Sequence, residues 1–280
     1  MKTVKVFAPA KINLTLHVTG QRPDGYHLLD SLVVFANIGD WVAVSVSDEL
    51  RLQVTGPMAD GVPDGGDNLI VQAARLAGVS GADIVLDKHL PMAAGIGGGS
   101  ADAGAVLRAF QQSHDIELPD NGLSLGADVP VCLGAKTARM SGIGDVVVPV
   151  AGVPALAAVL VNPGIAVRTP DVFRALKRRD GAGMPDIPKF RDARACINWV
   201  RDQRNDLQEP AIRCAPQIGE VLMVLGQSGA FLTRMSGSGA TCFGIFDTPD
   251  DADLAARSIR KKHPGWWVRP CVLAGSLQSE

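Results

Sequence analysis

Apolar and polar positions change period repeatedly along the 280-residue chain. Residues 4–7 are apolar and β-prone, and residues 14–18 resume the same character, so each predicts a strand. Trp41-Val-Ala-Val-Ser-Val and Leu50-Arg-Leu-Gln-Val alternate with a period of two, which predicts two more strands joined by a turn around Asp48. Leu69, Ala73 and Leu76 fall on one side of a helix opened by Asp67-Asn68 and reaching about Ala77. Residues 82–86 predict a strand that leads into a glycine-rich stretch.

The character changes near Pro154. Residues 155–162 read as a buried strand and residues 170–177 as a helix, followed by a Gly- and Pro-rich loop from Asp180 to Pro188. Helices at 195–201 and 217–225 precede two strands, 230–235 and 241–246, that flank Ser236-Gly-Ser-Gly. A helix at 251–262 and a strand near Trp267 close the chain. Strands, helices and hairpins interleave in this way in α+β proteins, so the expected architecture is α+β in two lobes, residues 1–150 and 151–280.

Composition narrows the function classes. Hydrophobic residues make up 46% of the chain and charged residues 20%, enough for a sizeable core without metals or disulfides. A formal net charge of −2 argues against nucleic acid as a partner, because phosphate counterions are displaced by a basic surface. The five cysteines, Cys132, Cys196, Cys214, Cys242 and Cys271, form no CxxC pair and read as reduced packing residues. The apolar N-terminal stretch is broken by Pro9 and Lys11, and no later run is long enough to span a membrane, so a cytoplasmic protein without a membrane partner is expected.

The most informative stretch is Pro91-Met-Ala-Ala-Gly-Ile-Gly-Gly-Gly-Ser-Ala-Asp, in which four of the five residues from Gly95 to Gly99 are glycine. Behind it, Ala103, Val106, Leu107 and Phe110 keep helical spacing, with Ser100 as the expected N-cap. Glycines that turn sharply into a helix start, where backbone N–H groups are free, make a phosphate cradle. No Gly-Lys dipeptide is present, which excludes a P-loop, and Gly95, Gly97 and Ser100 miss the third glycine of a dinucleotide fingerprint. Gly122-Leu-Ser-Leu-Gly126 matches a hydrolase elbow in letters only, since it follows Pro119-Asp-Asn rather than a strand.

With this loop in place the sequence resembles the GHMP kinases. Three motifs occur in order: Ala8-Pro-Ala-Lys-Ile-Asn-Leu14, the loop from Pro91 to Ala103, and Met235-Ser-Gly-Ser-Gly-Ala240. Arg22-Pro-Asp-Gly-Tyr-His27, Gly126-Ala-Asp-Val-Pro130, Asn162-Pro-Gly164 and Arg204-Asn-Asp-Leu207 resemble the members that phosphorylate a cytidine-diphosphate derivative of methylerythritol. The resemblance departs in one place, a shortened stretch between Gln111 and Leu125.

The resemblance implies a two-lobed fold with the active site in the cleft between lobes, ATP and Mg2+ as cofactors, and a small-molecule substrate phosphorylated on its C2 hydroxyl. It implies Asp128 as general base with Lys11 beside it, polarising the acceptor hydroxyl. Pro91, Met92, Ala93, Ala94, Gly95, Ile96, Gly97, Gly98, Gly99, Ser100 and Ala101 would hold ATP. Tyr26 and Phe173 would stack on the two faces of the cytosine, and Asn13 and His27 would hydrogen-bond the substrate. No metal-ligand set is implied; Asp102 reads either as an indirect contact to the metal or as a first-turn helix aspartate with no such role. Phe173 reads equally well as a helix-face core residue beside Val172 and Leu176, and His17, His89, His114 and His263 receive no role. Another GHMP kinase, for homoserine, mevalonate or a sugar, and a non-catalytic nucleotide-binding relative remain as alternatives.

Overall fold

A 20-residue strand, β3 (His27–Val46), organises the first half of the chain. The computed structural model describes residues 3–113, 116 and 118–277. β3 pairs antiparallel with β1 (Val4–Asn13), β2 (His17–Gln21), β5 (Ala82–Asp87) and β6 (Ala138–Gly142). Its stretch from Asp40 to Ser45 alternates buried and half-buried, whereas Asp30 to Ala36 is buried throughout because both faces are covered there. β4 (Leu50–Thr55) lies parallel to β5, with α1 (Leu69–Leu76) in the crossover, and β7 (Val146–Pro149) pairs with β6.

Helix α2 (Gly98–Ser113) packs its apolar stripe, Ala103, Val106, Leu107 and Phe110, against Val33, Phe35, Val42 and Ile84 of the sheet. Each large apolar side chain buried this way contributes roughly 1.5–3 kcal/mol. The helix begins at Gly98, so Ser100 lies within its first turn and is not its N-cap. α1 does take the expected cap: the Asn68 side chain accepts from the N–H of Ile70.

The second half builds β8 (Leu156–Asn162), β9 (Leu232–Met235), β10 (Cys242–Phe246) and β11 (Trp267–Leu273), with β11 reaching β3 through the pair Leu273 and Ala36. Helices α4 (Thr169–Arg174), α5 (Ala193–Arg201), α6 (Gln208–Cys214), α7 (Gln217–Gln227) and α8 (Pro249–Lys262) surround it. One core cluster draws on both halves, setting Ile12, Leu32 and Ile96 against Leu160, Phe243 and Leu273, so the lobes share a packed seam.

The expected strand at 14–18 is interrupted. Leu14 still donates its N–H to Leu32 O of β3 at 2.9 Å, but Leu16 bridges to Asn205 instead, and β2 starts at His17. In the shortened stretch, residues 119–125 form a 3-10 segment with Asp120, Asn121 and Gly122 in the left-handed region, followed by α3 (Val129–Gly134). That backbone confirms Gly122-Leu-Ser-Leu-Gly126 as a turn and not a strand-to-helix elbow. His114 lies outside the described residues. Among those residues no helix is long and apolar enough to cross a membrane.

Candidate active site

The register of β1 against β3 slips between Pro9 and Lys11. The slip frees the Lys11 N–H to donate to Ile96 O at 2.9 Å, tying β1 to the glycine loop instead of the sheet. The Lys11 side chain, 3% exposed, then reaches Asp128, its Nζ 2.8 Å from Oδ2. Asp128 stands at the N-cap position of α3, yet makes no capping bond, so its carboxylate is committed to Lys11 and to the cavity beside it. At 33% side-chain exposure it is the open member of the pair.

Two glycine turns close on each other above this pair. Gly95 (φ 73) and Gly97 (φ 62) hold the left-handed conformation that other residues resist. A Cβ on Gly95 would fall 2.6 Å from the carbonyl oxygens of Ser236 and Gly239, and one on Gly97 would fall 3.2 Å from Lys11 Cβ. The segment 235–240 is therefore more than a hairpin turn. Ser236 Oγ accepts from the Asn13 N–H at 3.1 Å and donates to Gly95 O at 3.0 Å, while Thr241 N–H donates to Ala94 O at 3.0 Å. Asn205 Nδ2 holds the turn from below through Met235 O and Gly237 O.

Together these segments enclose a cavity of about 1110 Å3. Lys11, Asn13 and Asp128 line it, as do Ala93 to Gly95 and Gly97 to Ser100 of the loop. Ile96 and Ala101 do not: both are buried in the core behind the loop. Pro91 and Met92 also lie off the cavity wall, and Met92 is exposed. These four therefore flank or back the loop residues that line the cavity.

Tyr26, His27 and Phe173 line the same cavity. Tyr26 is 59% exposed, presented by a turn in which its N–H donates to Asp24 Oδ1. Phe173 is not a lone partner for a base: its ring stacks on His27 at 4.6 Å between centroids. His27 Nε2 and Asn13 Oδ1 are buried without a hydrogen-bond partner. Buried polar atoms are rarely left so, and here both belong to residues on the lining of one cavity, which suits a ligand that supplies the partners. Burial, reinforced by the Arg179 charge, lowers the His27 pKa from its usual 6.5, so the imidazole is neutral at pH 7.

The sequence reading missed a buried ion triad directly behind the cradle. Lys88 Nζ lies 2.6 Å from both Asp40 Oδ2 and Asp102 Oδ2, and 3.2 Å from where a Cβ on Gly98 would stand. Asp40 Oδ1 also accepts from the backbone N–H groups of His89 and Leu90. Asp102 is thus a member of this triad through Oδ2, while its Oδ1 is buried without a hydrogen-bond partner. Burial, opposed by Lys88, pushes its carboxyl up to about 8, because one lysine does not neutralise two carboxylates. The signal available in the sequence was weak: Asp87-Lys-His89 reads as a solvated strand end.

Among the described residues no group of His, Cys, Asp or Glu could by itself hold a metal ion. The cavity does fit Mg2+ that enters with ATP, since such an ion takes most ligands from phosphate and water and needs only one or two protein oxygens. Ser100 offers one on the cavity wall.

The family model for the GHMP kinases N terminal domain matches residues 68–152, and that for GHMP kinases C terminal matches residues 187–265. A 4-diphosphocytidyl-2-C-methyl-D-erythritol kinase of Dinoroseobacter shibae is 57% identical over 269 residues, covering 95% of this chain and 94% of the relative. This chain is a GHMP kinase. A second such relative, from Ruegeria pomeroyi, is 54% identical over 270 residues, covering 94% of this GHMP kinase and 97% of the relative. A crystal structure of 4-(cytidine 5'-diphospho)-2C-methyl-D-erythritol kinase superposes with a TM-score of 0.79 at 34% identity, covering 98% of this kinase and 100% of that chain. A homoserine kinase from Cytophaga hutchinsonii, at TM-score 0.64 and 20% identity, shares the fold.

Proposed function

We propose that this kinase transfers the γ-phosphate of ATP to the C2 hydroxyl of 4-diphosphocytidyl-2-C-methyl-D-erythritol, a step of non-mevalonate isoprenoid precursor synthesis. The carrying observation is that the Lys11–Asp128 pair, at 2.8 Å, lines the same cavity as the glycine cradle and Tyr26, His27 and Phe173. One cavity thus offers a phosphate site, a proton acceptor and a place for a flat base.

Phosphoryl transfer demands alignment and charge stabilisation. The free N–H groups at the start of α2 and the glycine turns receive the triphosphate, and Mg2+ bound to it screens its charge. Lys11 grips one oxygen of Asp128; the other accepts the proton released as the acceptor hydroxyl attacks phosphorus and ADP departs. Tyr26 supplies a π face to cytosine, and the unpartnered Nε2 of His27 and Oδ1 of Asn13 hydrogen-bond the substrate. On this reading residues 1–150 carry ATP and the catalytic pair, and residues 151–280 contribute Phe173 and the Ser236 turn in a cytoplasmic enzyme.

The test is ATP turnover with Mg2+ against diphosphocytidyl-methylerythritol, homoserine, mevalonate and galactose, with Asp128→Asn as control. We expect turnover with the cytidine substrate alone, reduced by about 10²–10⁴-fold in the variant while ATP still binds. Turnover with a different acceptor would discard the roles of Tyr26, His27 and Phe173, and full activity of Asp128→Asn would remove the base.

A further inference from the structure

A nucleoside diphosphate whose base lies against Tyr26 and whose acceptor end lies at Lys11 must lead its diphosphate along the wall between them. The cations on that cavity are Lys11, Arg168, Arg174 and Arg179. Lys11 is held by Asp128, and Arg168 and Arg174 both face Asp171, at 3.9 and 2.8 Å. The acids on the cavity offer Arg179 nothing either, since Asp24 pairs with Arg22. Among the described residues Arg179 makes no ion pair; its Nη1 donates to the neutral amide oxygen of Gln21 at 3.2 Å. Gln21 lines the cavity as well, and the Arg179 charge reaches His27, where it adds to burial in lowering the imidazole pKa.

Arg179 is exposed, but the chain that carries it is strapped to the first lobe. Gly181 N–H donates to Val18 O at 3.0 Å and Met184 N–H donates to Asp30 Oδ2 at 2.7 Å, both acceptors in the first lobe, while Arg204 of the second lobe donates to Ala182 O. A Cβ on Gly181 would lie 2.9 Å from Val18 O, so glycine permits the close approach of strap and strand. Two residues before that anchor, a guanidinium stands over the cavity on a fixed base.

We propose that Arg179 is a specificity-determining residue that binds the diphosphate bridge of the nucleotide substrate. The proposal rests on the substrate reading given above. A planar guanidinium suits bidentate contact with phosphate oxygens, and a charged phosphate displaces the neutral Gln21 amide as the better acceptor. Arg179 thereby distinguishes a diphosphate-bearing substrate from a bare nucleoside or an uncharged alcohol.

The experiment is calorimetric titration of the full chain with CDP and with cytidine, a non-hydrolysable ATP analogue saturating the glycine cradle. Wild type, Arg179→Gln and Arg179→Lys are compared. We expect wild type to bind CDP more tightly than cytidine. Arg179→Gln should lose on the order of tenfold to a hundredfold in CDP affinity with cytidine affinity unchanged, and Arg179→Lys should recover part of the loss. In turnover, the substrate KM should rise in Arg179→Gln while kcat and the KM for ATP stay. An unchanged preference for CDP over cytidine in Arg179→Gln would overturn the proposal, as would an equal loss for both ligands. If wild type binds neither, the substrate reading itself fails and the role of Arg179 falls with it.

Discussion

Ser236 Oγ donates to Gly95 O at 3.0 Å across 141 residues of chain, and the same oxygen accepts the N–H of Asn13. One hydroxyl thus joins the turn of the second lobe, the glycine cradle and the strand that carries Lys11.

Ser236→Ala tests that junction. Ser236 is fully buried, so the Asn13 N–H and Gly95 O would be left without partners, a cost of about 1–3 kcal/mol. We expect a lower thermal midpoint and a raised KM for ATP, read by calorimetric unfolding and steady-state kinetics. An unaltered midpoint would show that the junction carries no strain of alignment.

Asp30 fastens the strap that bears Arg179. Arg139 grips its carboxylate with two bonds, Nε to Oδ1 at 2.8 Å and Nη2 to Oδ2 at 2.7 Å, and Met184 N–H adds a third at 2.7 Å. Burial alone would raise the Asp30 pKa, but these bonds outweigh it and hold the carboxyl below its ordinary 3.8. Its stabilising contribution is therefore present above pH 3.8 and lost as pH falls through the lower folded value. Asp30→Asn should cost about 2–4 kcal/mol at pH 7, with the gap to wild type closing in acid. Denaturant unfolding at a series of pH values reads this directly, and a gap independent of pH would contradict it.

Asp102 behaves in the opposite sense. Its carboxyl, at about 8 in the folded chain against an ordinary 3.8, binds a proton that the unfolded chain has already released. The stability it carries is complete below 3.8 and is lost as pH rises through about 8. Asp102→Asn mimics the protonated form at all pH values, so its stability relative to wild type should climb between these limits and level off above them. Thermal melts from pH 5 to 9 would show the climb; parallel curves would show that Asp102 is ionised throughout.

Local patterns were legible where one element explains them. The α2 stripe needs only its own spacing, and the glycines at 95 and 97 declare their left-handed backbone whatever surrounds them. β3 was only partly legible, because its partners change along its length and its middle is buried on both faces, so no single alternation runs through it. The short helices α3 and α6, each with an internal proline, carry too few residues to show a period.

By itself the sequence determined the α+β class and the glycine loop that turns into a helix, because residue type and close spacing encode them, and its resemblance to the GHMP kinases singled out Lys11, Asn13, Tyr26, His27 and Asp128. The resemblance implied Lys11 beside Asp128, and the fold brings them together across 117 residues; the tertiary structure alone decided that Lys88 is buried between Asp40 and Asp102 and that Arg179 lines the cavity. The reason is physical: a charge's role depends on which opposite charge folding brings within a few ångströms and how much water it removes, and neither is a property of neighbouring letters.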